Sequence, residues 1–398
     1  MKKLTRASFD VVVVGGWPAG AAAAKSAVAG GLETVLLEAK RIPRSKPCSG
    51  YLFAEALQLL DDRYGPLPEE VRADPHRVSG VRVRLPGNTL LDVPIKGENI
   101  WRDRFDAWLC AQSGAQIQDG TRLVDFAEWR DRVELVCREG GREFALTAKM
   151  LIAAVGCYTM VPLKLDPGFL KGVPSISTSQ QYFRSETSLE PGYLHVFVSP
   201  EFGAYPAAYV KDDLMVIDTS VRPGKSLPAA RAAFQAMLER DWGFRPADQA
   251  VNLSCKVAFP PALNRFCLGT DRVLVVGEAA GFVNSMGEGI SSALATGHIA
   301  GRAAAECGGS APGTAYREMV RPERDRTARE WMLPAVMTGR ARPELRDTLL
   351  KLGPLTMLKV TRGILAWQRS GGVVPSLQKH SIEVMIRRLL NGDFDFRG

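Results

Sequence analysis

The chain has 398 residues, is 46% hydrophobic and carries a formal charge of +8, which allows two domains or one large domain with an insertion. No run of about 18 apolar residues marks a membrane span. Seven scattered cysteines without a C-x-x-C pair and only four histidines argue against a disulfide framework, structural zinc and His-based hydrolytic triads.

MKKLTRASFD leads straight into a strand without an apolar leader segment, so a cytoplasmic location is the expectation. Residues 10–14 (DVVVV) read as a β-branched strand, the Gly-rich stretch GGWPAG as a turn, 21–30 (AAAAKSAVAG) as an Ala-rich helix and 33–38 (ETVLLE) as a second strand. Both strands are continuously apolar, as in a parallel pair covered on both faces, so the opening unit reads as Rossmann-like β-α-β. VSGVRVRLPG and TLLDVPIKG alternate with period two across a Pro-Gly-Asn turn and predict a hairpin, and 102–115 predicts an amphipathic helix. RVELVCREGGREFALTAKMLIAAVG predicts two strands around Gly-Gly and a separate apolar strand from Met150 to Val155. Residues 172–262 are strand-rich and punctuated by Pro and Gly, as an inserted antiparallel sheet would be. RVLVVGEAAG (272–281) returns to the strand-then-Gly style, GEGISSALATGHIAGRAAAE reads as a long small-residue helix, and the chain from about 316 reads as helical. Residues 317–398 hold 16 Lys/Arg against 9 Asp/Glu, nearly all of the excess charge. That tail reads either as a solvated helical face or as a basic amphipathic surface making peripheral membrane contact. No motif supports nucleic-acid binding.

In a dinucleotide-binding turn G-x-G-x-x-G, the first glycine makes the tight turn, the second admits the pyrophosphate and the third packs helix on strand. Gly15 and Gly20 fill the first and third places, Gly16 the free position, and Trp17 stands in the second. Glu38, eighteen residues past Gly20 at a strand end, suits ribose hydroxyls. A Gly-rich turn in a nucleotide-free α/β domain is the alternative reading of this segment alone.

Together, VVVVGGWPAGAAAA, VLLEAKRIPRSKPCSGYL, WRDRFDAWL and VLVVGEAAGFVNSMGEGISSAL resemble the geranylgeranyl reductase branch of the FAD-dependent oxidoreductases related to p-hydroxybenzoate hydroxylase, over roughly residues 8–310. The resemblance implies an α/β fold: a glutathione-reductase-type, Rossmann-like FAD domain (1–77, 99–160 and 265–315), an inserted antiparallel-sheet substrate domain (78–98 and 161–264) and a helical C-terminal region (316–398). It implies FAD as cofactor, with Gly15, Gly16, Trp17, Ala19 and Gly20 at the pyrophosphate, Glu38 at the adenosine ribose, Ala39 and Lys40 in its neighbourhood and Val124 near the adenine. Arg102 would reach the phosphates, Gly277 and Glu278 the ribitol, and Gly287, Gly289 and Ile290 the flavin ring. Cys48, in KPCSG, would lie close to the flavin, either tuning it and assisting protonation of a reduced alkene or serving as a small buried apolar residue. Tyr205 and Pro206 are what remains of the family's aromatic substrate motif.

Three departures bear on chemistry. Trp17 puts a large side chain where the phosphate loop is tight, Glu278 replaces the family's Asp with a longer acid, and Val155 removes a carboxylate that related hydroxylases use for both FAD and NADPH. The last argues against direct reduction by NADPH and for a separate reductase, ferredoxin or other electron-donor protein. The expected function is an FAD-dependent oxidoreductase acting on a hydrophobic or aromatic small molecule, by carbon–carbon double-bond reduction or by monooxygenation. Halogenation is disfavoured by the missing Trp-x-Trp-x-Ile-Pro stretch. The competing reading is a flavin fold with weakened or lost FAD binding in an accessory role. His195 and His298 are expected to be structural.

Overall fold

The structure, a computed structural model, describes residues 7–331 apart from 86–88, 157–158, 200, 286 and 308–311. Strand β1 (Ser8–Val14) enters helix α1 (Pro18–Ala29), whose first residue is a proline, pre-set for that position and lacking the N–H that a first helical residue would leave unpaired. Strand β2 (Thr34–Glu38) then returns parallel to β1, with Val11 opposite Thr34 and Val14 opposite Leu37. Val11 to Val14 and Val35 to Leu37 are buried, as their unbroken apolar run requires.

A short strand β3 (Tyr51–Phe53), helix α2 (Ala54–Tyr64) and the hairpin β4 (Arg72–Leu85) and β5 (Thr89–Ile100) follow. Helix α3 (Arg102–Ala111) stops four residues short of the expected 115. Beyond it come β6 (Gln116–Asp119), β7 (Thr121–Glu128), β8 (Val133–Glu139) and β9 (Arg142–Ala153). The separate apolar strand expected from Met150 is the second half of β9. Its first half pairs antiparallel with β8, while its second half runs parallel to β1. One strand thus serves an exposed hairpin and a covered sheet, and the pattern changes from alternating to continuous partway along it.

The remaining described elements are α4 (Met160–Leu165), β10 (Ser175–Glu186), β11 (Tyr193–Phe197), β12 (Ala207–Lys211), β13 (Leu214–Val221), α5 (Leu227–Trp242), β14 (Arg245–Ala258), β15 (Val273–Val275), α6 (Ile290–Glu306), α7 (Pro312–Met319) and α8 (Arg321–Glu330). One sheet has the order β6-β2-β1-β9-β8-β7 with β15 also beside β9; the other runs β14-β10-β13-β12-β11-β4-β5-β3. In the second sheet, among the described pairs, only β11 with β4 is parallel. Helix α6 lies on α1 at backbone contact: a Cβ on Gly297 would come within 2.1 Å of the Ala19 carbonyl oxygen, and one on Gly301 within 2.4 Å of that of Ala23. This approach brings the Gly277 turn and the α6 N-terminus to the start of α1. No helix among the described residues is long and apolar enough to cross a membrane. The basic helices expected beyond Trp331 lie outside the described residues.

Candidate cofactor and substrate site

The turn between β1 and α1 requires its glycines. Gly15 sits at φ +103°, where a Cβ would meet the Ala154 carbonyl oxygen at 2.3 Å, and a Cβ on Gly20 would lie 1.8 Å from the Gly15 oxygen. The Ala19 and Gly20 N–H groups, in the first turn of α1, have no helical carbonyl to bond, and the helix dipole adds partial positive charge there. The second-position glycine is replaced by Trp17, whose backbone is extended at the N-cap. Its indole lies among cations. The Arg44 guanidinium stacks 3.3 Å from the ring centroid, with Lys46 at 4.9 Å and Arg102 at 6.0 Å.

Beneath this cluster the ion pairs are buried. Arg44 donates to Glu38 at 3.1 Å and to Asp106 at 3.3 Å, and Arg102, the first residue of α3, donates to Asp106 through Nε at 3.2 Å and Nη2 at 3.1 Å. Burial alone would favour the neutral form of Arg102, but Asp106 and the adjacent Cys48 outweigh it and hold the guanidinium above its ordinary pKa. Glu38 accepts from Gly16 N–H (2.9 Å), Lys40 N–H (2.9 Å) and Arg44, which occupies three of its roughly four acceptor positions. One position therefore stays open for a ribose hydroxyl.

The donor set fits a dinucleotide diphosphate: helix N–H groups, three cations and an acid at the strand end. The Arg44 Nε–H supports this more sharply, being buried with no hydrogen-bond partner among the described residues. Trp17 departs from that fit, since its ring lies flat against the guanidinium that an anion would engage.

Of the other expected cofactor residues, Gly277 has φ +60°, and a Cβ there would press on Ala19 at 2.9 Å, so the two stretches meet. Glu278 pairs with Lys46 at 3.3 Å. Gly287 has φ +80° with open space where a Cβ would point, and Gly289 caps α6, which Ile290 begins. Ala39 and Lys40 are exposed beyond Glu38. Val124 lies at the register shift between β7 and β8, on a strand that passes close to β2.

Cys48 joins this region to the second sheet. Gln180 on β10 grips its peptide from both sides, accepting from Cys48 N–H at 3.3 Å and donating to the Cys48 carbonyl at 3.0 Å. The Cys48 Sγ accepts from Gly50 N–H at 3.4 Å. Lys211 on β12, almost fully buried, donates to the carbonyls of Ser49 and Ile100, both at 2.6 Å. Asp218 on β13 accepts from Gln180 at 2.8 Å and from the Tyr209 hydroxyl at 3.1 Å. Burial raises Asp218 to about 6 and lowers Lys211 to about 8, each moderated by the other's charge. Tyr205 is exposed and its hydroxyl donates to the Ser285 carbonyl at 3.3 Å, next to the loop that leads into α6, while Pro206 is buried beneath it.

Arg44, Lys46, Asp106, Gln180, Tyr209, Lys211 and Asp218 were not singled out by sequence reasoning. Arg44 and Lys46 fall in the VLLEAKRIPRSKPCSGYL stretch and Asp106 in WRDRFDAWL, while the sheet residues have as their sequence signal polarity at alternate strand positions, Gln180 with Tyr182 and Asp218 with Ser220. His195 and His298 are buried and hydrogen-bonded, His195 to the Glu190 carbonyl and Arg84, His298 to Ser26.

Residues 9–198 match the model of the pyridine nucleotide-disulphide oxidoreductase family. Protein CbrA of Escherichia coli K12 is 28% identical over 299 residues, spanning 72% of this chain and 81% of that protein. A geranylgeranyl bacteriochlorophyll reductase-like protein of Thermoplasma acidophilum superposes with a TM-score of 0.69 at 19% identity, over 82% of this chain and 85% of that one. The OxyS anhydrotetracycline hydroxylase of Streptomyces rimosus gives 0.59 at 19% identity, over 81% and 67%. Flavin-dependent halogenases are also among the structural neighbours. The chain has the fold shared by the geranylgeranyl bacteriochlorophyll reductase-like protein, the OxyS hydroxylase and the flavin-dependent halogenases.

Proposed function

We propose that this protein is an FAD-dependent oxidoreductase that reduces a carbon–carbon double bond in a hydrophobic or aromatic small molecule. The observation that carries this reading is the clamp on Cys48: both polar groups of its peptide are held by Gln180, whose amide also touches the Asp218 carboxylate and the Tyr209 hydroxyl. Double-bond reduction needs a hydride and a proton, and FAD, when bound, supplies the hydride chemistry. The chain's own part is to seat the diphosphate on the α1 N-terminus and Arg102, to take the ribose at Glu38, and to keep proton-bearing groups beside the Lys46–Gly50 loop. β9 ends in Ala153 and is followed by Ala154 and Val155, which offer no carboxylate. The reading therefore includes a separate electron-donor protein or flavin reductase in place of direct NADPH use.

Monooxygenation is the second reading, favoured by the likeness to the OxyS hydroxylase. An accessory role with weak FAD binding is the third, favoured by the Trp17–Arg44 stack. Absorbance spectra of the purified protein titrated with FAD separate the enzyme readings from the accessory one: no flavin bands and no uptake leave only the latter. With FAD loaded under anaerobic conditions, dithionite is expected to bleach the flavin at once and NADPH alone to bleach it slowly. Rapid bleaching by NADPH contradicts the electron-donor part.

A further inference from the structure

The face of the second sheet that meets the Lys46–Gly50 loop carries more polar chemistry than holding a loop requires. Asp218 lies opposite Gln180 in the β10–β13 register and is half-buried, whereas Gln180, Tyr209 and Lys211 around it are almost fully buried. Asp218 is therefore the least covered member of this group. Its two oxygens accept from two fixed donors, so its orientation is set. A second observation points to a ligand. Tyr51, 3% exposed, packs its ring on Tyr209 at a centroid distance of 5.5 Å, and its hydroxyl has no hydrogen-bond partner among the described residues. A buried hydroxyl without a partner costs about 1–3 kcal/mol unless water or a bound molecule satisfies it. The groups around Asp218 are Gln180 and Tyr182 on β10, Tyr209 and Lys211 on β12, Tyr51 on β3 and Cys255 on β14, with Cys48 bonded to the same Gln180 amide.

We propose that Asp218 is the proton donor of this site, giving its carboxyl proton to the substrate carbon that does not receive the hydride. The proposal rests on the reductase reading above. In the step, the Asp218 O–H bond breaks and a C–H bond forms using the electron pair of the substrate double bond. The hydride and its two electrons come from reduced flavin, which is oxidised. Asp218 is left as a carboxylate that Gln180 N–H and Tyr209 O–H solvate and whose charge Lys211 opposes, and solvent returns the proton. Burial holds the acid form to about pH 6, which keeps a proton available near neutrality, and the hydrogen bonds from Gln180 and Tyr209, followed by the Lys211 charge, prevent a larger rise.

The test uses the full-length, FAD-loaded protein. Infrared difference titration is expected to reveal a protonated carboxyl that is lost with a midpoint near pH 6 and that is absent from Asp218→Asn. A carboxyl that protonates only below pH 4.5 overturns the proposal. With dithionite-reduced protein and farnesol, an isoprenoid alcohol, as the probe, the wild-type rate is expected to fall tenfold per pH unit above about 6. Asp218→Asn should lose about a hundredfold and its pH dependence, and Asp218→Glu should restore the dependence. A rate flat in pH, or full activity in a folded Asp218→Asn, overturns the proposal alone. No reduction of farnesol by the wild type overturns the reductase reading and the delivery step with it, while the titration still decides whether Asp218 carries the proton.

Discussion

Trp17 concentrates the conflict at the cofactor turn. A cation–π stack contributes about 0.5–2 kcal/mol, and here it engages Arg44, whose buried Nε–H has no acceptor among the described residues. Removing the ring frees that guanidinium for phosphate. Trp17→Gly is accordingly expected to lower the FAD dissociation constant at least tenfold, about 1.4 kcal/mol, in a flavin-fluorescence quenching titration; an unchanged affinity would place the indole clear of the phosphates. Asp106 presents the converse case, because it is a nearly inaccessible carboxylate between two buried arginines. Asp106→Asn should destabilise the unliganded protein by about 3 kcal/mol in urea unfolding, since breaking a buried pair leaves a cation uncompensated. Added FAD should narrow that gap by returning negative charge to the cluster.

Among the elements, the α1–α6 contact decides whether the site exists, because it sets the Gly277 turn and the α6 N-terminus against the start of α1. Gly301 illustrates the competition. Alanine favours a helix interior over glycine by about 1 kcal/mol, but a Cβ here meets the Ala23 carbonyl oxygen at 2.4 Å and Ser26 Cβ at 2.6 Å, so the helices must part. Overpacking of this kind costs about 1–3 kcal/mol, and the backbone contact places it at the upper end. Gly301→Ala is expected to lower the melting temperature and to weaken FAD binding together. A melting temperature at or above that of the wild type would contradict the close approach.

For the molecule as a whole, two buried groups oppose each other in the acid range. His298 is lowered to about 3, by burial first and then by the nearby Arg63 and Lys25 charges. The unfolded chain takes up this proton near 6.5 while the folded one resists, so the stability His298 contributes above 6.5 is lost as pH falls toward 3, about 5 kcal/mol in all. Asp218 acts in the other direction: its raised value makes the folded state bind the proton first, adding about 3 kcal/mol as pH falls from 6 toward 4. The larger histidine contribution wins. His298→Asn is expected to move the acid unfolding midpoint, followed by circular dichroism, to lower pH, whereas Asp218→Asn should stabilise the protein at pH 7, with that advantage shrinking as pH falls toward 4.

The sequence by itself determined the β-α-β opening, the Gly turn with its tryptophan, the Glu38 position, the hairpin, the small-residue helix α6 and the FAD-oxidoreductase fold. All but the FAD-oxidoreductase fold, which rests on the resemblance of several motifs to a known family, are written in local periodicity or in glycine spacing, and local sterics act within a few residues. It misread β9, because a strand shared between a hairpin and a parallel sheet has no boundary in its own pattern. Only the tertiary structure decided where the Trp17 ring lies, that Arg44 and Asp106 complete the basic cluster, and that Gln180, Tyr209, Lys211 and Asp218 gather at Cys48. These contacts join residues up to 162 positions apart as well as neighbouring strands. Whether a polar side chain is a solvated surface group or a buried one with an altered proton affinity depends on what covers it, and that covering is supplied by distant parts of the chain.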